Sequence, residues 1–150
     1  MPTFTHGYLR AVAFEIFKAA GTPEQAAHAV AEGLVSSNLA GHDSHGIGQV
    51  PIYVDRIKAG HILPGAPFEI EKETRTTAVI NGNWGFGFDV TNRATDILIE
   101  KALEQNIAAV TVYQQSHIGR LTPYAAKCAE QGLAAIMFTD SGRTAKAVAP

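Results

Sequence analysis

Two segments of the sequence concentrate side chains that can transfer protons or bind anions. The first, residues 41–46, holds two imidazoles, a carboxylate and a hydroxyl in consecutive positions, from His42 to His45. Imidazole titrates near neutral pH, so it suits a general acid or base. The second, residues 116–120, combines a serine, a histidine, a glycine and an arginine. Arginine suits a phosphate or carboxylate ligand, so both segments are candidates for an active site.

Four interpretations of the first segment are open. His42 and His45 could share a metal ion, although catalytic zinc needs a third protein ligand. Ser44 could be a nucleophile with a histidine base, but neighbouring residues rarely point their side chains at each other and no G-x-S-x-G elbow is present. A histidine could act as a general acid or base, oriented by its neighbours. Finally, the polar residues could only cap a helix end, where unpaired carbonyl groups need partners.

A glycine-rich stretch, residues 82–87, precedes a predicted helix. Its spacing is G-x-x-G-x-G, whereas the dinucleotide-binding fingerprint is G-x-G-x-x-G, so the glycine roles do not transfer. A tight, aromatic-anchored turn is favoured, and an anion-facing role at the helix start stays open. Residues 116–120 follow a predicted buried strand, where ligands of open α/β sheets bind. An ordinary strand–helix loop is the alternative there.

The hydrophobic pattern predicts a helical first part and an α/β second part. Apolar residues recur at three and four positions in the first part, and prolines and glycines mark a connection at 61–67. We therefore expect a helical lobe at 1–62 and an α-β domain that starts at 63 and reaches 150. Thr22, followed by Pro23 and Glu24, predicts a capping box. The predicted helices are 9–20, 22–40, 47–59, 89–105 and 123–131, and the predicted strands are 68–74, 76–80 (followed by a turn at 81–83), 107–113 and 133–138.

Composition excludes several classes of function. The chain has 150 residues, a hydrophobic fraction of 46% and a net charge of −2, so it has no basic surplus for nucleic acid or an anionic membrane. No segment is apolar enough to span a bilayer, and the N-terminus lacks a signal-peptide pattern. Cys128 is the only cysteine, which is typical of a reducing compartment. We expect a cytoplasmic protein.

Taken together, the motifs resemble those of the malate/L-lactate dehydrogenase family. The resemblance rests on residues 38–47, 51–54, 81–87, 116–120, 124–125 and 148–150. That family includes L-sulfolactate, ureidoglycolate and diketogulonate dehydrogenases or reductases, and the chain is similar to the branch that acts on small 2-hydroxycarboxylates. The resemblance implies a mixed α/β fold. A helical N-terminal lobe is followed by an α-β layered unit of the L-sulfolactate dehydrogenase-like fold, which is not a classical Rossmann domain.

The resemblance also implies a reaction and a set of site residues. The reaction is NAD- or NADP-dependent oxidation of a 2-hydroxy acid, or reduction of the 2-oxo acid, by a homodimer. His45 matches the family's acid/base, supported by Ser44, and His117 matches an alternative proton acceptor. The segment that meets the cofactor or substrate matches His117, Ile118, Gly119, Arg120 and Leu121.

The chain departs from the family pattern in two ways. Many members carry an arginine three or four residues after the motif's last histidine, where this chain has Gly48 and Gln49. The substrate carboxylate then needs another partner. Of the two candidate arginines, Arg120 is better placed than Arg56. Gln49, which stands where the family has its arginine, is a further candidate. Family members are also much longer, so we expect an N-terminal part of an oxidoreductase that is inactive alone. The alternatives are a non-catalytic ligand-binding module of the same fold and, less favoured, a metal-dependent hydrolase that uses the two histidines of the first segment.

Overall fold

The computed structural model describes residues 3–140. Within that range, an all-helical beginning is followed by two strands, a helix, a third strand and a last helix, which confirms the expected mixed α/β class. None of these helices is both long and apolar enough to cross a membrane. The elements are α1 His6–Ala19, α2 Glu24–Leu39, two 3-10 turns at Asp43–His45 and Ile47–Gln49, α3 Val50–Lys58, β1 Glu69–Glu73, β2 Thr77–Gly85, α4 Gly87–Gln105, β3 Ala109–Gln115 and α5 Thr122–Glu130.

The starts of α1 and α2 are stabilised differently. The Thr5 hydroxyl accepts the Tyr8 N–H at 3.2 Å and so caps α1. The capping box predicted for α2 is wrong, because Pro23 stands at its N-cap without a side-chain hydrogen bond. The backbone N–H of Thr22 closes the turn after α1 by donating to the Phe17 oxygen. The Thr22 side chain is thereby buried, and its hydroxyl has no hydrogen-bond partner within the described structure.

A single apolar cluster joins α1, α2 and α3 to the beginning of α4. Phe17, Leu34 and Tyr53 are fully buried in it, and Phe86 and Phe88 pack into the same cluster from the other half of the chain. Aromatic side chains bury large apolar areas, so this cluster is the main reason the helices stay together. The domain division at 62/63 stays a prediction, and this core reaches across it.

The sheet has the strand order β1-β2-β3. β2 and β3 are parallel neighbours connected through α4, whereas β1 is antiparallel to β2. The turn predicted at 81–83 is wrong, because β2 continues to Gly85 through a local distortion. Asn83 and Trp84 there take left-handed φ values of 48° and 62°. The Asn81 side chain accepts the Asn83 N–H at 2.9 Å and holds this distortion.

The strand predicted at 133–138 is also wrong. These residues have no regular secondary structure, and Ile136 and Phe138 are 83% and 90% exposed. Their composition favours a strand, but a strand forms only when its backbone groups find a neighbouring strand. No strand within residues 3–140 pairs with this segment.

The start of α4 lies against the segment that follows β3. The Gly87 N–H donates to the Ser116 hydroxyl at 2.9 Å, and the Ser116 N–H donates to the Gly85 oxygen at 3.1 Å. A Cβ added at Gly87 would collide with the backbone oxygen of Ser116 and lie 2.6 Å from the backbone oxygen of His117. Gly87 is therefore required by a close approach of two backbones, and its N–H is not directed at an anion.

Gly87→Ala should destabilise the protein, because the new methyl group can only be accommodated if one of the two backbones moves. We expect the free energy of unfolding to fall by at least about 2 kcal/mol, measured by urea denaturation. Gly7→Ala is the matched control, since Gly7 lies in α1 with open space around its Cβ position. That variant should gain up to about 1 kcal/mol from helix propensity. Equal stability of the two variants would contradict the close approach.

Candidate active site

His42 closes the end of α2. Its backbone N–H donates to the Ser37 oxygen at 2.9 Å, and its ring Nδ1 lies 3.1 Å from the Ala40 oxygen. Both contacts satisfy carbonyl groups at the helix end, which is the role of a C-terminal cap. Among residues 3–140, no three His, Cys, Asp or Glu side chains group as metal ligands would. The helix-cap interpretation therefore fits His42, and the metal-dependent hydrolase gains no support.

Asn38 determines the shape of the turn that carries His45. Its side-chain amide donates to the Asp43 carboxylate at 2.6 Å, and its side-chain oxygen accepts the Ile47 N–H at 2.7 Å. Gly46 lies against this amide, and a Cβ there would collide with it. The turn is thus attached to α2 on both sides of His45 by one side chain. The role of Asn38 could not be read from the motif, although Asn38 belongs to it.

His45 and Ser44 contact each other despite being adjacent in sequence. The Ser44 hydroxyl lies 2.9 Å from Nδ1 of His45, so the expectation that neighbouring side chains would not meet is wrong. The 3-10 turn Asp43–His45 is the reason, since its tight backbone brings these side chains together. Gln49 stabilises the turn by donating from its amide to the Ser44 backbone oxygen at 2.8 Å.

His117 meets His45 from the opposite side. It follows β3, and its ring centroid lies 5.3 Å from that of His45. Its Nδ1 is 2.6 Å from the hydroxyl of Tyr53, which belongs to α3. The structure therefore brings together the two histidines that the sequence singled out separately. The sequence did not indicate Tyr53 as a partner of His117, because the two residues are 64 positions apart.

Phe88 positions the segment that carries His117. Its ring fills the Cβ position of Gly33 on α2 and also that of Gly119, which has a φ of 72°. Larger residues at either glycine would push α4 away from α2 or from the His117 segment. Gly33 and Gly119 thus allow the close packing of Phe88 between α2 and the His117 segment.

Burial makes His117 a weak base. Desolvation, with smaller contributions from the positive charges of His45 and Arg56, lowers the pKa of His117 from its usual 6.5 to about 4. Burial raises the pKa of the Tyr53 hydroxyl, and the charge of Arg56 opposes this shift in part. At neutral pH the pair therefore consists of an uncharged imidazole and an intact phenol.

Arg120 is bound to the end of α2. Its Nε donates to the Ser37 hydroxyl at 3.3 Å, and its Nη2 donates to the Ser36 backbone oxygen and hydroxyl, both at 3.2 Å. A guanidinium has five N–H groups, so this arrangement leaves donors for a further partner. No hydrogen bond joins Arg120 to His45 or His117 among the residues described. Its predicted contact with substrate or cofactor stays a prediction, as do those of Ile118, Gly119 and Leu121.

The cavity beside Arg120 limits what these residues can enclose. It has a volume of about 160 Å³ and lies between α2, α4 and α5. Small-molecule sites usually measure about 300–1,000 Å³, so this cavity is too small for a whole nicotinamide dinucleotide. The Arg120 cation and its open N–H groups suit one anionic part of such a molecule. The cavity therefore has room for one anionic group of such a molecule, not for the whole of it.

Comparisons with known proteins show which sequences and folds this chain is similar to. Residues 4–150 match the sequence profile of malate/L-lactate dehydrogenases. Hydroxycarboxylate dehydrogenase B of Escherichia coli O157:H7 is 39% identical over 133 residues, which is 89% of this chain and 36% of the relative. L-sulfolactate dehydrogenase of Methanothermobacter thermautotrophicus is 41% identical over 105 residues, or 70% of this chain and 31% of that protein.

A solved structure gives the same result for the fold. Malate dehydrogenase from Pyrococcus horikoshii OT3 superposes with a TM-score of 0.85 at 30% identity, and the match covers 87% of this chain and 38% of that one. The chain thus spans about a third of the length of the relatives it matches. Val148, Ala149 and Pro150, which contribute to the family resemblance, lie outside the described residues.

The low pKa of His117 predicts a pH dependence of stability. An unfolded chain takes up the His117 proton near pH 6.5, whereas the folded protein takes it up only near pH 4. The folded state should therefore lose stability as the pH falls from 6.5 to 4, by at most about 3 kcal/mol from this residue. Denaturation curves measured between pH 6.5 and 4 should show a smaller loss of the free energy of unfolding in His117→Gln than in the wild type. The control His42→Gln should lose as much as the wild type, and an unchanged decline in His117→Gln would contradict the buried, neutral ring.

Proposed function

The chain belongs to the malate/L-lactate dehydrogenase family, and we propose that it supplies the proton-transfer part of a dehydrogenase for small 2-hydroxy acids. The substrate would be a malate- or lactate-like 2-hydroxy acid or its 2-oxo acid, and the cofactor NAD or NADP. The contact between His45 and His117, at 5.3 Å between ring centroids, is the observation that supports this proposal most strongly. The names of the relatives, hydroxycarboxylate, L-sulfolactate and malate dehydrogenases, support the substrate class.

His45 is the proposed proton carrier. Its Nδ1 is occupied by Ser44, so Nε2 is the atom left for the substrate oxygen. A serine hydroxyl can donate to or accept from Nδ1, and it therefore stabilises the ring in both of its protonation states. That property suits a reversible reaction, in which Nε2 takes the hydroxyl proton in oxidation and returns it in reduction. His45 is also partly exposed, so its proton can exchange with solvent.

His117 is proposed to orient the substrate rather than to carry its proton. With a pKa of about 4, the ring holds no extra proton at neutral pH. If the Tyr53 hydroxyl donates to Nδ1, the Nε2 of His117 carries the hydrogen and can donate to a substrate oxygen. A neutral imidazole can polarise a carbonyl group in this way. When bound, the nicotinamide ring would accept a hydride from substrate C2 or deliver one to it.

Arg56 is one of three candidates for the substrate carboxylate, beside Arg120 and Gln49. It lies one helical turn after Tyr53, its side chain is exposed, and it has no ion pair within residues 3–140. Its charge also acts on His117 and on Tyr53. Arg120, in contrast, already donates to two serines, and the Gln49 amide donates to Ser44. We therefore propose that Arg56 binds the substrate carboxylate beside the two histidines.

The remaining parts of the proposal come from the family. We propose a homodimer located in the cytoplasm, with the rest of the nicotinamide site contributed by segments that the longer relatives possess. The chain alone is then expected to be inactive, so the kinetic experiments below use the full-length protein. A screen of 2-oxo acids with NADH and NADPH would identify the substrate and the preferred cofactor.

His45→Gln should abolish most of the activity in such a screen. We expect kcat to fall about 10²- to 10⁴-fold, because the proton carrier is lost. His117→Gln retains an N–H donor and should cost about 10-fold. His42→Gln is the control, since His42 only caps α2, and it should keep nearly full activity. Unchanged turnover in both His45→Gln and His117→Gln would refute the mechanism.

Arg56→Gln should raise the KM for the oxo acid about 10- to 100-fold and leave the KM for the cofactor unchanged. The reason is that a charge-assisted hydrogen bond to the carboxylate contributes roughly 1.5–3 kcal/mol. Lys58→Gln removes an exposed cation from the same helix and is the matched control. If Arg120→Gln raises the oxo-acid KM and Arg56→Gln does not, then Arg120 is the carboxylate partner.

A further inference from the structure

Both histidine segments are bound to the same turn of α2. This turn consists of Ser36, Ser37 and Asn38 and is called the α2 end turn below. Asn38 bonds to the turn that carries His45, whereas Ser36 and Ser37 bond to Arg120 in the segment that carries His117. The three side chains are consecutive, so their relative positions are determined by one rigid helix.

The Asn38 attachment acts on both sides of His45. Asp43 precedes the histidine and accepts from the Asn38 amide, while Ile47 follows it and donates to the Asn38 oxygen. A side chain that bonds to both flanks leaves the intervening residues little freedom to shift. Gly46 strengthens this restriction, because it lies against the Asn38 amide without room for a Cβ.

The serine attachment acts three residues after His117. Ser37 is fully buried and donates its hydroxyl hydrogen to the Gly33 oxygen at 2.8 Å. Its lone pairs are therefore available to the Nε of Arg120. The planar guanidinium contacts Ser36 as well, so the arginine is bound in one orientation.

We propose that the α2 end turn sets the distance between His45 and His117, and that Asn38 and Arg120 are positioning residues for the proton-transfer pair. This inference rests on the proposed function for its catalytic consequence, but not for its geometry. Within the described structure, the side chains of Ser36, Ser37 and Asn38 make no hydrogen bond to either imidazole. They act only through the backbone segments that they bind.

Crystal structures of two variants of the full-length protein test the geometry directly. Asn38→Ala removes both bonds to the His45 turn, and Ser37→Ala removes the buried acceptor of Arg120. In each variant the distance between the His45 and His117 ring centroids should increase from 5.3 Å or differ between copies. Val35→Ala is the matched control, since it shortens a fully buried side chain of the same helix without touching these hydrogen bonds. It should keep the wild-type distance.

Steady-state kinetics of the same variants test the consequence. Misplacement of reacting groups by about 1 Å can cost about 10²-fold in rate, so Asn38→Ala and Ser37→Ala should lower kcat 10- to 100-fold. Their KM for the oxo acid should stay within about twofold, as no substrate contact is removed. Asn38→Asp keeps the acceptor for Ile47 but places a second carboxylate against that of Asp43, so it should lower kcat at least as much as Asn38→Ala. Val35→Ala loses stability but should retain kcat.

The outcomes separate this proposal from the function on which it rests. An unchanged ring distance in Asn38→Ala and Ser37→Ala overturns the proposal, and so does an equal loss of kcat in Val35→Ala. An increase in KM without a change in kcat would mean that these residues bind substrate instead. If the wild-type protein reduces no 2-oxo acid, the proposed function fails. The ring distances alone then decide whether the α2 end turn is a positioning element.

Discussion

The hydrogen bond between Tyr53 and His117 connects the two halves of the site. At 2.6 Å, it joins a buried side chain of the helical part to the segment after β3. The phenol must be buried to reach the imidazole, and the same burial lowers the pKa of His117 and raises that of Tyr53. This contact therefore contributes to holding His117 in place, while desolvation keeps the ring neutral.

The two histidines consequently differ in environment, although they lie close together. His45 is partly exposed and bound to a serine that can donate or accept. His117 is more strongly desolvated and bound to a phenol that keeps its proton. Pairs of titratable groups in contrasting environments are how enzymes divide acid–base tasks. This division is the basis for assigning proton transfer to His45 and orientation to His117.

The sequence predicted the residue types at the site better than their contacts. His45 and His117 could be recognised because unusual chemistry was concentrated around them, and the family resemblance linked them. Tyr53, Ser36 and Ser37 could not be recognised as partners, because the residues they contact lie 64 to 84 positions away in sequence. The strand expected at 133–138 failed for a related reason. The residue types of this segment favour a strand. A strand forms only beside a neighbouring strand, and the local sequence does not show whether one is there.

The most direct test of this account is a pH titration of the His45 and His117 rings by nuclear magnetic resonance. Isotope-labelled full-length protein would be assigned with the His45→Gln and His117→Gln variants. The account predicts that His117 stays neutral at pH 7 and titrates near pH 4, and that each ring's signals shift when the other histidine is replaced. Titration of His117 near 6.5, without any response to His45→Gln, would contradict both the desolvated His117 ring and its contact with His45.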